Sequence, residues 1–191
     1  MVGRMRKEIR LVPEMTKSCR VIYPTTKTAQ VGAKSKEIRI ALRKDSKQVT
    51  IEKIKVKLIY GEYQDIERLC RNQTEAEIRD LMMNVAYDTE NLSVYGFIQY
   101  MIRRTENANW IKLAVDIMLN PFSFMEGAYS VALYHARELV LMERNIKNLE
   151  RLLFFYNIPE KLINDEEAKN IAEEILKTDA NNKVAQDIIK L

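Results

Sequence analysis

The sequence predicts an all-α fold of antiparallel helical hairpins with a basic extension in front of it. Three observations point there. From about residue 50 onward, apolar residues recur at i, i+3, i+4 and i+7, the spacing that lays one stripe along a helix. Only 5 Gly and 4 Pro stand among 191 residues, too few for the turns that many short strands demand. The intervals between apolar stretches run from about two to eight residues, which suits helices packed against their sequence neighbours. With 47% hydrophobic and 30% charged residues, a chain of this length can bury a core without metal or disulfide.

Taken in order, Ile51, Ile54, Leu58 and Ile59 share a helical face, although Ile54, Val56 and Leu58 also alternate with Lys53, Lys55 and Lys57 as a strand would. Gly61, placed where a helix end wants a left-handed residue, and the helix-favouring run Glu62 to Arg71 decide for helix. Thr74 with Glu77 three residues on is a capping box, opening a helix to about Tyr87. Asp88 to Asn91 is turn-prone, and Leu92, Tyr95, Phe97, Ile98, Met101 and Ile102 then form a face ending near Arg104. Asn107 opens a shorter helix carrying Trp110, Leu113, Ala114, Ile117 and Met118, and it closes at Asn120 because the residue before Pro121 is pushed out of helical geometry.

The densest apolar pattern lies between Asn120 and Pro159. Tyr129, Ala132, Leu133, Ala136, Leu139 and Val140 form one face with Glu143 at its end. Asn145 interrupts, and Leu149, Leu152, Leu153 and Tyr156 begin the face of a helical partner. Ile158-Pro159 breaks that partner. Asp165 is expected to cap the next helix, EEAKNIAEEILK, and Asn181-Asn182 to precede a last short one whose Val184, Ile188, Ile189 and Leu191 cap the stack. The count is roughly nine helices.

Charge divides the chain into two expected parts, a basic arm over 1–49 and a helical domain over 50–191. Residues 1–50 carry 13 Lys or Arg against 4 Asp or Glu, a net +9, whereas the remainder is net −5. Within the arm, Glu8 to Val12, Cys19 to Tyr23 and Lys36 to Arg43 alternate in polarity, which suits either a short β-ribbon or a disordered arm. Arg4, Arg6, Lys7, Arg10, Arg39 and Arg43 are the residues that would meet a phosphate backbone, although no aromatic interleaving or nucleic-acid motif accompanies them. The basic start is not followed by the apolar region of a signal peptide. No apolar run approaches the ~20 residues of a membrane span, so a cytoplasmic protein is expected.

Residue chemistry argues against catalysis. Cys19 and Cys70 lack zinc-site spacing, and His135 is the chain's only histidine, expected to pack rather than ligate. Asp88 and Glu90, Glu166 and Glu167, and Glu173 and Glu174 occupy helix starts and polar faces, where acids need no metal to explain them. No phosphate loop, nucleophile elbow or metalloprotease signature appears. The expectation is a non-catalytic chain with no metal and no cofactor. Phe154, Phe155 and Tyr156 span about 200° of helix, so they cannot all face one layer. An aromatic partner-binding surface drawing on Tyr100, Tyr134, His135 and Phe155 is therefore expected.

Two segments, Gly61-Glu62-Tyr63-Gln64-Asp65-Ile66 and Gly127-Ala128-Tyr129-Ser130-Val131-Ala132, share Gly-x-Tyr-x-x-apolar with their glycines 66 residues apart, close to two units of a ~34-residue hairpin. Farther on, Ala168-x3-Ala172-x-x-Ile175-Leu176 leads into Asp179-Ala180-Asn181-Asn182 and Ala185. In these features the chain resembles the tetratricopeptide repeat family, most closely over residues 123–191, with Ala180 standing where the family has Pro. The resemblance implies a right-handed α-solenoid whose groove binds a protein or peptide partner, as in an adaptor or the immunity partner of a secreted toxin. The alternative, from the charge of the arm, is a nucleic-acid-binding protein.

Overall fold

The computed structural model describes residues 48–190. The chain divides into two units, Met1–Leu42 and Arg43–Leu191, and every described residue belongs to the second. The alternating segments Glu8 to Val12, Cys19 to Tyr23 and Lys36 to Arg43, and with them Arg4, Arg6, Lys7, Arg10, Arg39 and Arg43, lie outside the described residues, as does Leu191.

Among the described residues all regular structure is helical, as expected for an all-α protein. Helix α1 covers 48–59. It is followed by α2 (Tyr63–Cys70), α3 (Glu75–Thr89), α4 (Ser93–Thr105), α5 (Ala108–Leu119), α6 (Ala128–Met142), α7 (Ile146–Asn157), α8 (Asp165–Thr178) and α9 (Lys183–Ile189). The ambiguous run around Ile54 is helix, its buried residues being Ile51, Ile54 and Leu58 at helical spacing while Val56 faces outward.

Side-chain caps explain where most of these helices start. Thr74 and Glu77 form the reciprocal capping box of α3. Asn107, Asn145, Asn164 and Asn182 each accept a hydrogen bond from a backbone N–H in the first turn of α5, α7, α8 and α9. The cap of α8 is thus Asn164, one residue before the expected Asp165. Asn164 has the extended backbone of an N-cap and bonds the Glu167 N–H at 2.8 Å, whereas Asp165 is already helical, with its charge near the positive end of the helix dipole.

Helix ends follow a different chemistry. Gly61 (φ +67°) and Gly127 (φ +80°) both take the left-handed conformation, Gly61 in the turn that closes α1 and Gly127 as the N-cap of α6. Glu90 and Glu106 end α3 and α4 in that same conformation without being glycine, at φ 47° and 49°.

Packing is strongest between helices consecutive in sequence, α5 with α6 above all. Helix α5 is apolar nearly all round and buries eight of its residues, which places it in the middle of the core. Ala128, Ala132 and Ala136, four apart and buried, give α6 a low ridge that lets a neighbouring helix come close. Phe97, Phe122 and Phe155 are fully buried, each contributing on the order of 1.5–3 kcal/mol.

Polar contacts link each helix to the next but one. Lys55 meets Asp88, Tyr100 and Arg104 bond Glu67, Arg79 bonds Asp116, and Tyr95 and Gln99 meet His135. Farther along, Arg151 pairs with Asp116, Arg137 with Glu167, and Asn182 with Glu150. The hydrogen-bonded partners among these stand 30 to 40 residues apart, the length of two helices with their loops. At the C-terminal end α9 packs on α8 and α7 through Ala185 and Ile188; of its expected apolar face Ile188 is buried, Val184 and Ile189 are exposed, and Leu191 lies outside the described residues.

Candidate functional site

The four residues expected to form an aromatic partner surface fall in three different places. Tyr100 is half-buried, sits against Tyr63 and Phe97, and donates its hydroxyl to Glu67 at 3.0 Å. Burial works against the Glu67 charge, but this bond and the Arg104 guanidinium outweigh it and hold the carboxyl below its usual range. Tyr134 is exposed and adjacent to His135, with their rings 5.1 Å apart, and it donates to Glu138 at 2.8 Å. Phe155 is fully buried and so belongs to the core, not to a surface. It stands three residues after Leu152 and continues that buried face, while Phe154, 42% exposed, is the ring that looks outward.

His135 is 1% exposed and fully engaged. Its Nε2 lies 2.7 Å from the Tyr95 hydroxyl and accepts from the Gln99 amide at 2.9 Å, so the ring proton resides on Nδ1, which donates to Glu138 at 2.8 Å. Burial pushes its pKa down more strongly than Glu138 pulls it up. The ring ties α4 to α6 and leaves no nitrogen directed at solvent. Cys70 is not among its partners; that thiol is buried in α2, with its pKa pushed up to about 11 by desolvation, and is chemically inert at neutral pH. Among the described residues no group of three or more His, Cys, Asp and Glu could hold a metal ion. Among the same residues no helix is long and apolar enough to cross a membrane.

A groove of about 370 Å³ crosses α3, α5 and α7 and was not foreseen from the sequence. Its residues come mostly from the N-terminal halves of the three helices. Asp116 on α5 sits between two arginines, its Oδ2 3.0 Å from Arg79 Nε on α3 and its Oδ1 3.6 Å from Arg151 Nη1 on α7. Lys112 pairs with Glu143 at 2.8 Å, while Lys147 makes no ion pair among the described residues. Trp110 and Leu113 supply apolar surface. The signal that could have found the groove is a charge repeat: Arg79, Asp116 and Arg151 are 37 and 35 residues apart, near the hairpin period.

No protein-family model, curated protein or solved structure matches the chain.

Proposed function

We propose that this chain is a non-catalytic protein-interaction module, a right-handed α-solenoid of the tetratricopeptide-like kind that docks a segment of another protein. The observation that carries the reading is the groove across α3, α5 and α7, which draws on three successive alternate helices as one surface. The polar bonds between helices next but one, at 30 to 40 residues, support a stacked-hairpin arrangement. The non-catalytic part is supported by the engagement of His135 on both ring nitrogens within the core.

Photo-crosslinking from the groove tests this. A photoreactive residue at Asn109 in the full chain should capture one discrete protein in the cell of origin, and the same group at exposed Lys169 on α8 should not. The captured protein separates the two forms such a module takes, an adaptor and the immunity partner of a toxin. If Asn109 captures no protein and the chain instead binds generic oligonucleotides with steep salt dependence, lost on deleting residues 1–47, the basic segment is the functional part and the docking reading is wrong.

A further inference from the structure

Given the docking function proposed above, the charge of the groove indicates what it docks. Four cations, Arg79, Lys112, Lys147 and Arg151, face two carboxylates, Glu75 and Asp116. Lys112 is engaged by Glu143 outside the groove, and Arg79 lies within 4.0 Å of the exposed Asp80. The side chain of Asp116 is only 19% exposed, and a single carboxylate faces two guanidinium groups there. A guanidinium offers five N–H donors in a fixed fork, so most donors of the pair remain open to a second acid. Lys147 stands in the first turn of α7, where the helix dipole disfavours a cation, and it makes no ion pair among the described residues to offset that cost. Trp110, 8% exposed, lies beside these charges.

We infer that the groove accepts an acidic peptide segment, with carboxylates on Lys147 and on the Arg79 and Arg151 pair and an apolar side chain against Trp110 and Leu113, and that Asp116 is an internal competitor for the arginines. In the free protein the Asp116 carboxylate occupies donors that a partner carboxylate would use. It therefore sets a threshold: a single weak acid gains little by displacing it, whereas a segment with several acids engages the open donors and Lys147 together.

Trp110 is the chain's only tryptophan and borders the groove, so its emission reports on this region of the protein, its core contact with Phe97 included. The test titrates the full chain with a synthetic dodecapeptide of repeated Glu-Glu-Leu and with its Gln-Gln-Leu counterpart. The basic N-terminal residues attract the same acidic peptide, but occupancy there responds to neither groove variant. The Glu peptide is expected to shift the Trp110 emission and to bind at least about tenfold more tightly than the Gln peptide, with affinity falling as salt is raised. Asp116→Asn should tighten Glu-peptide binding about two- to fivefold, and Lys147→Gln should weaken it by a similar factor, the range of single half-exposed charge contacts. Circular dichroism checks that both variants keep their helix content.

Equal binding of the Glu and Gln peptides overturns the acidic specificity, as does failure of the Glu peptide to move Trp110 emission in either the unmodified chain or Asp116→Asn. Weaker binding by Asp116→Asn overturns the competitor role, since Asp116 would then be holding the arginines in place for the ligand. A single-stranded oligonucleotide that displaces the Glu peptide at lower concentration assigns the groove to nucleic acid and overturns the inference. A protein crosslinked from Asn109 alongside any of these failures leaves the docking reading standing, so the two are separable.

Discussion

His135 shows how a single buried side chain links local chemistry to stability. Its folded pKa is depressed below 6.5, by burial first, while the hydrogen bond to Glu138 only partly offsets this. The unfolded chain therefore takes up a proton at a higher pH than the folded one. The stabilising contribution is present above about pH 6.5 and is lost as the pH falls through that value toward the folded pKa. Melting followed between pH 7.5 and 5.5 should show the unmodified chain losing stability relative to His135→Gln, whose amide carries no titrating proton. Parallel pH curves would mean that His135 keeps an ordinary pKa. The adjacent rings of α7 make a second contrast. Phe155→Ala should cost about 3–5 kcal/mol in chemical denaturation, the range for emptying a buried aromatic site, whereas Phe154→Ala should cost under about 1 kcal/mol. Equal costs would contradict the difference in their burial. That difference escaped the sequence, which put Phe155 among the partner-binding aromatics. A step of three from Leu152 leads to Phe155, but the step of four from Leu152, the step of three from Leu153 and the row from Leu149 all lead to Tyr156 instead.

At the scale of elements, helix starts were easier to read than helix ends. Thr74, Asn107, Asn145 and Asn182 each announce a helix through an oxygen that bonds the backbone two or three residues on, a relation contained within one stretch of sequence. The ends of α3 and α4 carry no such signal, because Glu90 and Glu106 occupy left-handed positions that sequence reasoning reserves for glycine. The last element is legible in type but only partly in orientation. Ala185 and Ile188 are buried and Asn182 bonds Glu150 at 2.7 Å, while Val184 and Ile189 are left exposed. Deleting residues 180–191 removes these contacts and uncovers part of α8, whose Ile171 and Ile175 are buried in the full chain. At ~1.5–3 kcal/mol per large buried side chain, and roughly 2–4 °C of melting temperature per kcal/mol for a chain of this size, the truncated protein should melt at least about 5 °C lower by differential scanning calorimetry. An unchanged melting temperature would identify α9 as a free docking element instead of a cap.

For the whole molecule, contacts run mainly between helices that are neighbours or next but one in sequence, so stability depends on how many packed neighbours a helix has. Helices α5 and α6 form the most heavily packed pair and bury the most residues, whereas α9 is the last and shortest helix described. Native-state hydrogen exchange should therefore be slowest in α5 and α6 and fast in α9. Uniform protection across all helices would mean that the chain opens only as one cooperative unit. The groove belongs to this scale as well, which is why it escaped the sequence. The helical class follows from spacings within a dozen residues, but the Arg79–Asp116–Arg151 cluster joins three helices whose charges look like ordinary solvated faces when each is read alone.

The habit of bonding to the helix next but one has a consequence for how such a chain can change in length. Suppose one helix were gained or lost in the middle. Arg79 would then be set against a neighbour of the wrong parity, Asp116 would lose one arginine, and the link from α4 to His135 would be cut. A pair gained or lost restores the alternation, and each side chain again finds a counterpart two steps away. The molecule is thus written in even syllables: insertions and deletions that survive in its descent should come as whole hairpins, and a lineage carrying an odd one should also show both arginines changed.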